Sequence, residues 1–136
     1  MPVDTENNKT PAAPIVCIAD PDEALTRRLA DLLETLGTEV GTYPSGGALL
    51  ASLRPGTICV IAEARLPDMT GIELIRSLRS RMPDVPVILL ATDGDVAAAV
   101  AAMRAGALDF IEKPHVDRLL AWRIRHLLEN ERPAPG

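Results

Sequence analysis

Four short apolar stretches of this 136-residue chain run into residues able to do chemistry. Asp20 follows Ile15–Ala19, Glu63 follows residues 58–62, Ala91-Thr92-Asp93 closes residues 85–91, and Lys113-Pro114 lies just past residues 108–111. If the stretches are strands of one parallel sheet, these side chains gather beyond its carboxyl edge, where such sheets build their sites. Acids and a lysine thus converge at one edge, where opposite charges can pair. Glu63 is the most informative residue, because a carboxylate at the mouth of a sheet is costly unless paired, and Lys113 is the expected partner.

Other chemistry is poorly supported. Asp20-Pro21-Asp22-Glu23 is acidic where a mononucleotide site needs glycine and free backbone N–H groups, which disfavours nucleotide or flavin binding. Asp22 and Glu23 are expected to serve the first turn of a helix, where negative charge suits the dipole, and Thr92 to be an ordinary loop or helix-start threonine. His115 and His126 read as solvated histidines. Cys17 and Cys59 sit inside apolar runs, and two such residues make neither a disulfide framework nor a metal-ligand spacing, so they are expected as buried thiols.

The elements that must position the site follow from hydrophobic periodicity. Leu25, Leu29, Leu32, Leu33 and Leu36 predict a helix ending at Gly37. Glu39–Tyr43 suits a short strand, and Ser45 caps a helix running to Leu53 before Pro55-Gly56. Thr70 and Glu73 match a capping box, with Ile72, Ile75, Leu78 and Met82 on one helix face. Val96, Val100 and Met103 mark an Ala-rich helix stopping at Gly106, and Leu120, Ile124, Leu127 and Leu128 mark a last helix ending near Asn130. Arg27, Arg28, Arg76, Arg79 and Arg81 are dispersed, as expected of solvated helix faces. Five alternating strand-helix units with doubly apolar strands predict an α/β fold, a doubly wound parallel sheet covered by helices on both faces.

Bulk properties bound the rest. The length allows one domain, read as residues 14–130 between flexible tails at 1–13 and 131–136. Aromatic residues make up 2% of a chain that is 47% hydrophobic, so the core must be aliphatic, and Tyr43, Phe110 and Trp122 are isolated choices. A net charge of -5 without a basic run opposes direct nucleic-acid binding. No segment matches a signal sequence or a membrane span, from which a cytoplasmic protein is expected.

The stretches at residues 64–71 (ARLPDMTG) and 94–114 (GDVAAAVAAMRAGALDFIEKP) resemble response-regulator receiver domains, closest to those of nitrogen-fixation and nitrogen-control regulators. The likeness covers roughly residues 14–128. It implies the flavodoxin-like strand order 2-1-3-4-5 and a phosphorylation pocket. In that pocket an Asp after the third strand receives the phosphoryl group, and two acids after the first strand help hold Mg²⁺. A Thr or Ser after the fourth strand and a Lys after the fifth contact the phosphoryl group. Asp20 and Lys113 match, as does Phe110 at the family's switch aromatic. Pro21, Glu63 and Ala91 stand at the second-acid, acceptor and hydroxyl positions.

Proline offers no side-chain oxygen to a hard octahedral cation, so Mg²⁺ binding is expected to be weak or absent, and no other cofactor is implied. Two roles are open to Glu63: a structural ion pair with Lys113, or an imitation of the phosphorylated state. The expected function is therefore that of a non-enzymatic, stand-alone receiver acting as a phosphorylation-independent protein-interaction module. Its partner, another signalling protein or a second copy, is expected at the fourth helix, fifth strand and fifth helix, with no membrane partner. The alternatives are a phosphorylatable receiver using Glu63 or Asp68 with an unusual Mg²⁺ site, or a nucleotide or flavin binder on the same fold.

Overall fold

The structure, a computed structural model, describes residues 12–92 and 96–131. Most of both expected tails, residues 1–11 and 132–136, lies outside the described residues, as does Asp93. Five parallel strands, β1 (Ile15–Ala19), β2 (Glu39–Tyr43), β3 (Thr57–Glu63), β4 (Val87–Ala91) and β5 (Asp109–Glu112), form one sheet in the order β2-β1-β3-β4-β5. They alternate with α1 (Glu23–Glu34), α2 (Gly46–Ala51), α3 (Gly71–Arg81), α4 (Val96–Arg104) and α5 (Asp117–Glu131).

The central strands are apolar on both faces because both faces are covered. Val16, Ile18, Cys59, Ile61, Ile88, Leu90 and Ile111 pack under Leu25, Leu29 and Leu33 of α1 and Leu120 and Ile124 of α5. The alternate residues Cys17, Ala19, Val60, Ala62, Val87 and Leu89 pack under Leu49 of α2, Leu74, Ile75 and Leu78 of α3, and Ala102 of α4. The two cysteines are thus buried thiols on opposite faces, and burial pushes both thiol pKa values up. Among the described residues no helix is long and apolar enough to cross a membrane.

Helix starts follow local chemistry. Asp22 accepts from Leu25 N at 3.1 Å, Ser45 from Ala48 N at 3.1 Å, and Thr70 from Glu73 N at 3.1 Å, while the Glu73 carboxylate accepts from Thr70 N at 2.8 Å. The capping box expected from Thr70 and Glu73 is therefore present.

Several boundaries differ from the sequence reading. The fourth strand starts at Val87 rather than residue 85, since Pro86 has no N–H to donate to a ladder. The second helix ends at Ala51, with Ser52 as its cap. The fifth strand runs one residue later than expected. The stripe of Val96, Val100 and Met103 that marked α4 lies on its exposed side, at 75%, 44% and 48% exposure, and the helix buries Ala102 instead.

Arg28 and Arg81 are exposed, as expected of solvated faces, and Arg79 is half-buried, but all three also make long-range bonds. Arg28 holds Asp117 through two bonds of 3.2 and 3.0 Å, joining α1 to α5. Arg79 donates to the Val85 and Gly106 carbonyls, and Arg81 to that of Leu50.

Candidate functional site

Strand register assembles the site. Ala19 of β1 lies opposite Ala62 of β3, so Asp20 leaves the sheet beside Glu63. Lys113 follows β5 and is held in place by its own N–H, which donates to the Ala91 carbonyl at 2.7 Å. Its ammonium reaches across β4 to both acids: Nζ lies 2.8 Å from Asp20 Oδ2 and 2.9 Å from Glu63 Oε1. The expected Glu63–Lys113 pair is thus a direct charge-assisted hydrogen bond. Asp20 shares the same ammonium, so Lys113 is the counter-charge of both acids.

The cluster is largely dry. Asp20 is 3% exposed and Glu63 8%. Asp20 Oδ1 accepts from Asp22 N at 2.9 Å, whereas Oδ2 contacts Nζ off the direction of a hydrogen bond, so that oxygen is charge-compensated but lacks an aligned donor. Burial pulls the Lys113 pKa down, but the adjacent carboxylates of Asp20 and Glu63 outweigh it and leave the ammonium above its ordinary value. With two carboxylates and one ammonium, the cluster carries a formal charge of about -1.

The neighbouring positions define what else the pocket offers. Ala91, Thr92 and Phe110 join Glu63, Ala64, Arg65 and Ala98 in lining a cleft between the sheet edge and α4. Ala91 brings no hydroxyl to it, and Thr92 is exposed at its rim. Phe110 is half-buried. Asp22, the nearest candidate to replace a second acid, is engaged as the cap of α1, and Glu23 begins that helix. His115 and His126 are exposed, the latter with a ring nitrogen 2.9 Å from the Trp122 carbonyl oxygen.

A brace that the sequence reading did not foresee holds the loop after β3. Asp68 accepts from Gly46 N at 3.1 Å and Gly47 N at 2.9 Å at the start of α2, and these bonds lower its pKa, that from Gly47 most. A Cβ on Gly46 would lie 2.5 Å from the Met69 sulfur, so the glycine lets the loop approach closely. Ser45-Gly46-Gly47 was the available signal, but its pairing with a residue some twenty positions later needs the tertiary fold.

The fold and this constellation of strand-end residues define a two-component signalling receiver. Residues 16–125 match the response regulator receiver domain family, and the chain belongs to that family. It is 38% identical over 118 residues to the transcriptional regulatory protein FixJ of Rhizobium meliloti, covering 85% of this chain and 57% of that protein. A response regulator receiver protein from Pseudoalteromonas atlantica superposes with a TM-score of 0.80 at 31% identity, covering 88% of this chain and all of the other. A CheY-like receiver domain protein from Methanospirillum hungatei gives 0.78 at 27% identity, covering 88% and 96%. The chain spans little more than half the length of the FixJ relatives it matches.

Receiver chemistry uses Mg²⁺, and the residues present fit that ion poorly. Such a cation wants near-octahedral oxygen ligands at about 2.0–2.1 Å. Here Pro21 contributes no side-chain oxygen, Asp22 is committed to its helix, and the two remaining carboxylates already share one ammonium. Among the described residues no group of three or more His, Cys, Asp or Glu side chains is arranged to hold a metal.

Proposed function

We propose that this receiver domain works without phosphorylation, as an atypical module that binds another signalling protein. The observation that carries the reading is the Lys113 ammonium lying between Asp20 and Glu63 at 2.8 and 2.9 Å. An ordinary receiver needs that lysine for an incoming phosphoryl group, an Asp to accept the group, and a metal to offset the negative charge. In this chain the acceptor position is a Glu whose oxygen is already bonded to the lysine. Its extra methylene also displaces the oxygens from an in-line geometry suited to Asp, and small displacements are expensive in such steps. Asp68, the other conceivable acceptor, has both oxygens engaged by Gly46 and Gly47.

The partner surface is assigned to α4, β5 and α5. Val96, Val100 and Met103 on α4 and Leu119 and Trp122 on α5 are large apolar side chains at 44–75% exposure, and side chains of this kind mark interaction sites when clustered. The fixed charge cluster favours constitutive over phosphorylation-gated binding, with Mg²⁺ playing no part.

Incubation of the purified chain with acetyl phosphate and Mg²⁺, followed by intact mass measurement under conditions that preserve acyl phosphates, tests the reading. An unchanged mass is expected. A phosphoryl adduct mapped to Glu63 or Asp68 overturns it.

A further inference from the structure

We infer that the outer face of α5 is a basic and aromatic docking strip that takes an acidic amphipathic helix of another protein. This inference deepens the partner reading of the proposed function and rests on it. Arg118, Leu119, Trp122, Arg125 and His126 all lie on the exposed side of α5, and no acid follows them along the helix before Glu129. Leu119 is 50% and Trp122 48% exposed. Asp117 of the helix itself and Asp109 of β5 are already neutralised, by Arg28 at 3.0 Å and Arg123 at 2.8 Å. Among the described residues Arg118 and Arg125 have no hydrogen bond or ion pair, so two guanidinium groups stand free on a chain whose net charge is -5.

Trp122 is held ready for contact. The Arg123 guanidinium carbon lies 5.1 Å from the centre of its ring, the His126 ring centre lies 4.2 Å away, and a His126 ring nitrogen lies 2.9 Å from the Trp122 carbonyl oxygen. A tryptophan fixed by its own helix loses little freedom on binding, and tryptophan and arginine are the side chains that most often carry binding energy. Arg118 and Arg125 are two helical turns apart, about 10.5 Å, with Trp122 between them. Carboxylates two turns apart on an opposing helix match that spacing, and apolar residues between them would cover Trp122 and Leu119. Charge selects this occupant over a second copy, because a two-fold pairing of α5 with itself would bring the arginines of both copies together. Residues 96–103 of α4 carry no charge, so the electrostatic choice of partner falls to α5.

Trp122 is the only tryptophan of the chain, so its fluorescence reads the strip directly. The full chain is titrated with a synthetic helical peptide of Glu and Leu whose Glu residues recur every two turns, and with the same peptide carrying Gln for Glu. Expected are a saturable change of Trp122 emission with a Kd below about 1 mM for the Glu peptide, binding at least about tenfold weaker for the Gln peptide, and a loss of at least about fivefold between about 20 and 300 mM salt. Arg118→Gln/Arg125→Gln, checked for folding by far-UV circular dichroism, should bind the Glu peptide about tenfold less tightly. No saturation, equal affinity for the two peptides, or an unchanged affinity of the folded double variant overturns the inference. So does tighter binding of single-stranded oligothymidine, or a dimer in sedimentation whose equilibrium the double variant shifts. None of these measurements involves phosphoryl transfer. A phosphoryl adduct with intact peptide binding would sink phosphorylation independence alone, and an unchanged mass without peptide binding would sink this inference alone.

Discussion

Replacing Lys113 with Met keeps most of the aliphatic stem and deletes the charge, leaving Asp20 and Glu63 facing each other at 1% and 11% side-chain exposure. Removing one partner of a buried ion pair costs about 3–5 kcal/mol, because the other charge stays desolvated. Lys113 itself is 17% exposed, so water can reach the vacated position and screen the acids, which puts the expectation near the lower end, at about 3 kcal/mol. Against a total stability of about 5–15 kcal/mol and a urea slope of about 1–3 kcal/mol per molar, the midpoint should fall by about 1–3 M at pH 7. Adding Glu63→Gln to Lys113→Met should recover part of the loss, since one unpaired charge disappears, giving a coupling of about 1–3 kcal/mol in the double-mutant cycle. The pH dependence has a definite sign. A lysine whose folded pKa is raised contributes stability that is fully present below its unfolded pKa and is lost as pH rises through the raised folded value. The gap between wild type and Lys113→Met should therefore hold from neutrality to about pH 10 and close only above it. Equal urea midpoints at pH 7, or strictly additive effects of the two substitutions, would refute the reasoning.

Two further perturbations test the scaffold around the site. Thr70→Ala removes the hydroxyl half of the capping box of α3 and should cost about 0.5–2 kcal/mol in urea unfolding, with Thr70→Ser retaining most of the stability. Asp68→Asn should flatten the acid side of the stability profile: a carboxylate with a lowered folded pKa contributes above its unfolded pKa and loses that contribution as pH falls through the lowered value, so wild type and variant should converge at low pH. Parallel profiles down to about pH 2 would show that the Gly46 and Gly47 bonds do not matter to stability.

Much of this architecture is legible along the chain because the sheet is apolar on both faces. Runs such as Ile15–Ala19 and Val87–Ala91 leave little room for another reading, and the sheet order follows once the family resemblance is seen. The Thr70–Glu73 cap is legible because both partners lie within four residues. What fails is what depends on distant partners. The α4 stripe of Val96, Val100 and Met103 has helical spacing, but spacing alone does not say which side faces the sheet, and Ala102 fits closely against it where larger residues point outward. The bonds of Arg79 and Arg81 to the carbonyls of Val85, Gly106 and Leu50 likewise need the tertiary fold to bring their partners close. The Glu63–Lys113 contact was reachable from strand ends alone, whereas the shared use of Lys113 by Asp20 depends on how far the ammonium reaches across β4.

That shared lysine also bears on how fold and site divide the energetics. A buried ion cluster is weak evidence for stability, because desolvating three charged groups offsets most of their mutual attraction. The net gain must come from the aliphatic layers on either side of the sheet, where Leu29, Leu33, Leu74, Leu78, Leu120 and Ile124 are fully buried. Those layers do not involve the carboxyl edge, so residues there can change type without unmaking the sheet, and the β3–α3 loop is held separately by Asp68 and the Thr70 cap. The cluster therefore need not stabilise the domain in order to persist. It needs only to satisfy its own charges, and Lys113 does so for Asp20 and Glu63 together. Its physical consequence is local: once the ammonium is bound to both acids, any ligand of the pocket must compete with contacts of 2.8 and 2.9 Å that the chain already makes to itself.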